Sequence, residues 1–250
     1  MHPTQGRSAP CRGPCHHLPA GLALDRLSPT AELIRDLRRL SGCEFRTALS
    51  RRIVACPIRG RAIAAAYQAC PDWDGEALPA YRAFRTETAR QFELLTGSTG
   101  RGGLGIRVEP TVIDPYPHAA AMAADLGTTR RLRIFATGGR GNSHPFLTAE
   151  QNDMFRAVHD VFGHLASGRG FDRHGEDAAW YAHSRMYSPL ARLAMTTETR
   201  GQTSMFVWHH QGRRFPDQKL MLLPTPFCEP AQVSVRAGWG RRLTGCRRWR

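Results

Sequence analysis

His159-Asp160-Val161-Phe162-Gly163-His164 sets two imidazoles five residues apart, with an acid beside the first and a glycine before the second. Five residues of an ideal helix turn through about 140°, so both rings leave one broad side of the element without stacking. Two neutral imidazoles on one element are a good start for a transition-metal site, which then needs an anionic or third nitrogen ligand. Glu198, within Thr196-Thr197-Glu198-Thr199-Arg200-Gly201, is a candidate for that position. The bland reading pairs Glu198 with Arg200 or makes it a helix-end acid. Joined to the histidines, it would complete two imidazoles and one carboxylate, the facial arrangement that leaves positions open on Fe(II). Glu198 reaches them only if Pro189 bends the chain between.

Between these candidates, Glu176, Trp180, His183 and Tyr187 fall on one side of a helix at three- and four-residue steps. The stripe reads either as a pocket wall, with His183 or Tyr187 as proton donor and Trp180 against a substrate, or as buried core with its polar tips satisfied. His174-Gly175-Glu176 matches the short ligand motif of oxygenases that use 2-oxoglutarate, but those sites sit on a β-barrel for which this chain has no strands.

The elements that must position these residues follow from periodicity. Helical spacing predicts helices over Ala31–Leu40, Arg61–Cys70 and Leu78–Leu95, the last with Tyr81, Phe84, Thr88, Phe92 and Leu95 on one face. Ile106–Val108 and Leu132–Phe135 read as short strands flanking a helix from His118 to about Leu126. Thr148-Ala149-Glu150-Gln151 has the form of a capping box, opening a helix that runs to about Ser167. A Gly-rich link leads to a second long helix from Glu176 to Thr199, interrupted at Pro189 and closed by Gly201. Met205–Trp208 reads as a strand and Asp217–Leu223 as a last helix. The fold class is therefore α+β, predominantly helical: a Pro- and Gly-rich leader over 1–27, one metal-binding domain over 28–230, and a basic tail over 231–250.

Phe135-Ala136-Thr137, His144-Pro145-Phe146-Leu147-Thr148-Ala149-Glu150, Asp153, the His159 to His164 segment and Thr197-Glu198 together resemble the pterin-dependent aromatic amino acid hydroxylases. The resemblance implies a mainly helical basket holding Fe(II), with tetrahydropterin as reductant and an amino-acid-like small-molecule substrate. It makes His159, His164 and Glu198 the iron ligands and Asp160 a carboxylate that orients His159 or a water. Arg140 and Asp153 lie near the family's substrate position, and Arg140 or Arg200 would hold an anionic substrate group. The chain departs from the family in carrying Asp160 where a glutamate is usual. Its Thr-Glu-Thr-Arg-Gly-Gln segment is also similar to an uncharacterised group of phage and mobile-element proteins, which implies no reaction.

Two other schemes use the same residues. Adjacent His159-Asp160 is also the central ligand pair of HD-type metal-dependent phosphohydrolases, in which Asp160 would bind metal directly and His118 or His144, with Asp172 or Asp177, would complete the shell. A non-enzymatic module would hold structural metal and touch nucleic acid through its basic end.

Composition bounds the choice. The 250 residues are 41% apolar and 22% charged with a formal net charge of +14, which suits a folded chain. Lys219 is the only lysine, so the basic balance is arginine, and residues 231–250 hold six arginines and no acid. That tail could make electrostatic contact with nucleic acid. No stretch approaches the ~18 apolar residues of a membrane span, and no apolar segment opens the chain. Seven irregularly spaced cysteines do not read as a disulfide framework, so a cytoplasmic protein is expected.

Overall fold

The computed structural model describes Leu33, Asp36, Leu37 and residues 52–139 and 141–235. Leu33, Asp36 and Leu37 of the first expected helix are helical, with both leucines buried. The leader, Arg140 and the tail from residue 236 lie outside the described residues.

Helix α1 (Pro57–Ala69) starts with proline in its first turn, where no N–H is needed, and buries Ile63, Ala64 and Tyr67. Helix α2 (Leu78–Thr96) buries Ala80, Tyr81, Phe84, Thr88, Gln91 and Leu95, the expected stripe except that Phe92 is only half-buried and Gln91 is buried beside it. A β-α-β unit follows: β1 (Arg107–Thr111), α3 (Ala119–Thr129) and β2 (Arg131–Phe135), with the two strands parallel and Arg107 opposite Arg131. A parallel pair needs such a crossover, which is why a helix separates two strands this short.

Helix α4 (Ala149–His159) opens with the full capping box, Thr148 Oγ1 accepting from Gln151 N–H and the Gln151 side chain accepting from Thr148 N–H. It runs directly into a π-helical turn, Asp160–Leu165. Helix α5 (Arg173–Ser184) is capped by Asp172, whose carboxylate accepts from the N–H groups of His174 and Gly175. Helix α6 (Pro189–Thr196) is capped by Ser188 and continues through a π turn (Thr197–Gly201), a short α segment (Gln202–Ser204) and a second π turn (Met205–His209). Helix α7 (Thr225–Cys228) is one turn long.

This is the predominantly helical α+β architecture expected, with three local corrections. Gly201 does not end its helix; it lies inside the extension of α6, where the Tyr67 ring packs directly against it. Met205–Trp208 is π-helical rather than a strand, because it packs on α1 as a continuation of the helix before it. Asp217–Leu223 is extended rather than helical. Leu220 and Leu222 face the main core while Met221 and Leu223 face a smaller core with Ile63 and Tyr67, an alternation of period two that a helix cannot supply. Leu220 is bridged to Trp73, and Asp74 N–H donates to its carbonyl at 2.7 Å. Past Pro230 the chain also stays paired, Val54 N–H donating to the Ser234 carbonyl at 2.9 Å. Cys56 is disulfide-bonded, whereas Cys70 and Cys228 carry free thiols. Among the described residues no helix is long and apolar enough to cross a membrane.

The main core brackets the site. Phe84 of α2 meets Phe155 of α4 edge-on at 4.8 Å, and Tyr187 joins them from the α5–α6 connection. Each such ring removed from water contributes about 1.5–3 kcal/mol. That packing ties α4 to α2, while α5 packs against the π turn that follows α4.

Candidate metal centre

Sequence geometry on an α-helix leaves the His159 and His164 rings about 140° apart. The π turn removes that discrepancy. Its i→i+5 bonding puts residues five apart above one another, as residues four apart are in an α-helix. The two rings meet edge-on with centroids 5.2 Å apart. Gly163 sits beneath them, where a Cβ would come within 3.0 Å of His159 Nδ1 and 3.2 Å of the Ala179 methyl.

Glu176, in the first turn of α5, completes the group. His159, His164 and Glu176 each offer a ligand atom, all within 4.8 Å of one another, and could together hold a metal ion. His164 Nε2 is 3.5 Å from Glu176 Oε1, and His159 Nε2 is 4.0 Å from Oε2. His159 Nε2 is buried and has no hydrogen-bond partner. An unpaired buried nitrogen is costly unless something fills the place it points to.

The tautomers follow from the bonds made on the far side of each ring. His164 Nδ1–H donates to the Gly170 carbonyl at 3.1 Å. His183 Nε2–H donates to Gln91 Oε1 at 2.7 Å, which makes His183 Nδ1 the acceptor and His159 Nδ1–H the donor across 3.1 Å. Both Nε2 atoms then present lone pairs to the Glu176 side, the form a metal ligand requires. Burial and the neighbouring His159 and His164 keep His183 well below the ordinary histidine value, which preserves this direction. Gly175 makes the arrangement possible, because a Cβ there would stand 1.8 Å from the Gly170 carbonyl oxygen that receives His164.

Without a cation the charges settle among themselves. Burial opposes protonation of His164, but the Glu176 carboxylate outweighs it and raises the imidazole. Burial would raise Glu176, yet His164 and His159 hold it down to about 2. Asp160 is pushed up by burial, against the pull of His164, His159 and Arg156.

The group opens on a cavity of about 450 Å³, a size that suits a small ligand. Asp160 and Glu198 line it too. Glu198 is outside the ligand group because its carboxylate is already engaged. Oε1 accepts from Tyr81 O–H at 2.5 Å and from His144 Nε2–H at 3.2 Å, and Oε2 accepts from Gln202 at 2.8 Å. His144 must donate there, since its Nδ1 accepts from the N–H groups of Phe146 and Leu147.

Asp172 also lines the cavity, whereas Trp180, Arg200, Tyr187, Asp153, His183 and His174 are placed apart from it. Trp180 is wholly buried, donates to Thr196 Oγ1 and carries the Arg200 guanidinium 4.1 Å above its ring. Arg200 is further tied to Asp177 at 3.0 Å and to the Phe227 carbonyl. Tyr187 bonds Thr88 within the core, and Asp153 accepts from Thr137 N–H and Oγ1, pinning the chain after β2. His183 acts from behind His159. His174 Nδ1 accepts from Ala55 N–H, so it too is directed away from the ligand group.

Spacing along the chain puts Glu176 in a pocket stripe and not in the candidate ligand group. The signal was the short glycine-rich link over 167–170, which folds the start of α5 back against the turn that carries His164. Comparison with protein-family models, curated proteins and solved structures finds no match to this chain.

Proposed function

We propose that the chain is a mononuclear non-haem iron oxygenase whose ligands are His159, His164 and Glu176. The supporting observation is the unpaired, buried His159 Nε2 within a set of two imidazoles and one carboxylate on a cavity wall. This donor set with open positions is the one associated with Fe(II) oxygenases. Bound Fe(II) would supply activation of dioxygen, with electrons from an external reductant.

The chain's own side chains do the rest. Gln91 and His183 hold the His159 lone pair inward, and the Gly170 carbonyl does the same for His164. Asp160, next to His159 in the chain and pushed up by burial, lines the cavity wall at the start of the π turn. Tyr81, His144 and Gln202 lock Glu198 in place as a fixed polar wall. Phe155 and Phe171 give the cavity apolar surface.

Anaerobic reconstitution with Fe(II) followed by nitric oxide, in place of dioxygen, tests this reading. A high-spin iron–nitrosyl signal, with oxygen uptake once a reductant is added, is expected. Bound metal that gives neither would refute it. Paired metals lost in Asp160→Ala would favour phosphohydrolysis instead.

A further inference from the structure

The face of α4 that presents His159 carries other polar groups into the cavity at steps of four residues: Asn152, Arg156 and, one turn on, Asp160. Asn152 is 5% exposed, and its Nδ2 is buried without a hydrogen-bond partner. A buried amide in that state is an unmet demand for an acceptor. Arg156 donates one Nη1–H to the Phe135 carbonyl, which fixes the direction of the guanidinium fork. Among the described residues neither Arg156 nor Asp160 closes an ion pair with a neighbour. The unpaired Asn152 amide and, one helical turn on, an Arg156 guanidinium with no ion-pair partner among the described residues stand beside the candidate metal centre.

We propose that Asn152 and Arg156 form the anchoring subsite for a carboxylate, so that the substrate of the oxygenase read above is an organic monoacid. The Arg156 fork matches a carboxylate in plane, and the Asn152 amide supplies a further donor. Together the two donors accommodate a single carboxylate group. Phe171 and the Phe206–Phe215 pair, whose centroids are 5.7 Å apart, offer the apolar body of the acid a surface. The assignment rests on the oxygenase reading only for what happens at the metal; the anchoring itself does not need the ion.

Calorimetric titration of phenylacetate and its uncharged amide, phenylacetamide, into the full-length protein tests it, with and without bound metal. The acid is expected to bind at least about tenfold tighter than the amide in both forms. Arg156→Met should erase that preference, and Asn152→Leu should weaken phenylacetate about tenfold. Asn152→Leu should also raise the thermal midpoint of the ligand-free protein, since it removes an unpaired amide; a merely misfolded variant would not show that rise. Equal binding of acid and amide, no binding of phenylacetate, or a preference that survives Arg156→Met would overturn the proposal. So would a preference present only with metal bound, which places the carboxylate on the ion. A preference that holds in metal-free protein while the nitrosyl test fails leaves the subsite standing and removes the oxygenase.

Discussion

Replacing His183 with leucine would break the relay that sets the His159 tautomer while keeping a side chain of similar bulk in a fully buried position. The change leaves His159 Nδ1–H facing an apolar group and strands Gln91 Oε1, which had received His183 at 2.7 Å. His159 is then free to move its proton to Nε2, the atom that must carry the lone pair. Removal of such an orienting partner weakens metal binding about 10- to 100-fold, which corresponds to about 1.4–2.7 kcal/mol. Two groups left without partners in the interior would add about 1–3 kcal/mol each to the cost in folding stability. Competitive titration of Fe(II) or Co(II) against a chelator reads the first effect, and urea unfolding of the metal-free protein reads the second. Metal affinity within twofold of wild type, in a variant that still unfolds cooperatively, would refute the assigned direction of the relay.

Gly175→Ala drives a methyl into the Gly170 carbonyl oxygen, so the link over 167–170 must shift and His164 loses its fixed acceptor. It is expected to cost about 1–3 kcal/mol in urea unfolding and to weaken metal binding at least tenfold. Metal-free protein will lose stability in acid in two windows, followed by thermal unfolding against pH. His183 stays neutral when folded and is depressed below its ordinary 6.5, so below about pH 6.5 the unfolded chain takes a proton the folded one refuses, and stability falls. Glu176 lies at about 2 when folded against an ordinary 4.5, so its contribution is complete above 4.5 and lost as pH falls through 2. His183→Leu should flatten the first window and Glu176→Gln the second.

The sequence made the frame of this site legible where local chemistry dictates structure. The Tyr81 to Leu95 stripe, the Thr148 capping box and the two strands around α3 each appear where spacing or capping placed them. The two histidines were legible as a pair, but their convergence was not, because a π turn leaves no mark in residue types and only its extra residue per turn brings His164 under His159. Two glutamates also differ in how much of their surroundings the sequence shows. Glu198 had the suggestive surroundings, yet Tyr81, His144 and Gln202, distant in sequence apart from the last, claim its oxygens. Glu176 is delivered by a tight turn and by the absence of a side chain at Gly175, a steric fact that only the fold exposes. The expected Asp217–Leu223 helix failed for a related reason: the four consecutive apolar residues Leu220 to Leu223 suit either a helix or a strand between two cores, and the second core is assembled from α1.

The claim on which the account turns is that Glu176, and not Glu198, is the third ligand. Metal content of protein reconstituted anaerobically with Fe(II), measured for wild type, Glu176→Gln and Glu198→Gln, tests it directly. One ion per chain in wild type and in Glu198→Gln, with loss in Glu176→Gln, is the predicted result. Retention of the ion in Glu176→Gln with loss in Glu198→Gln would contradict it.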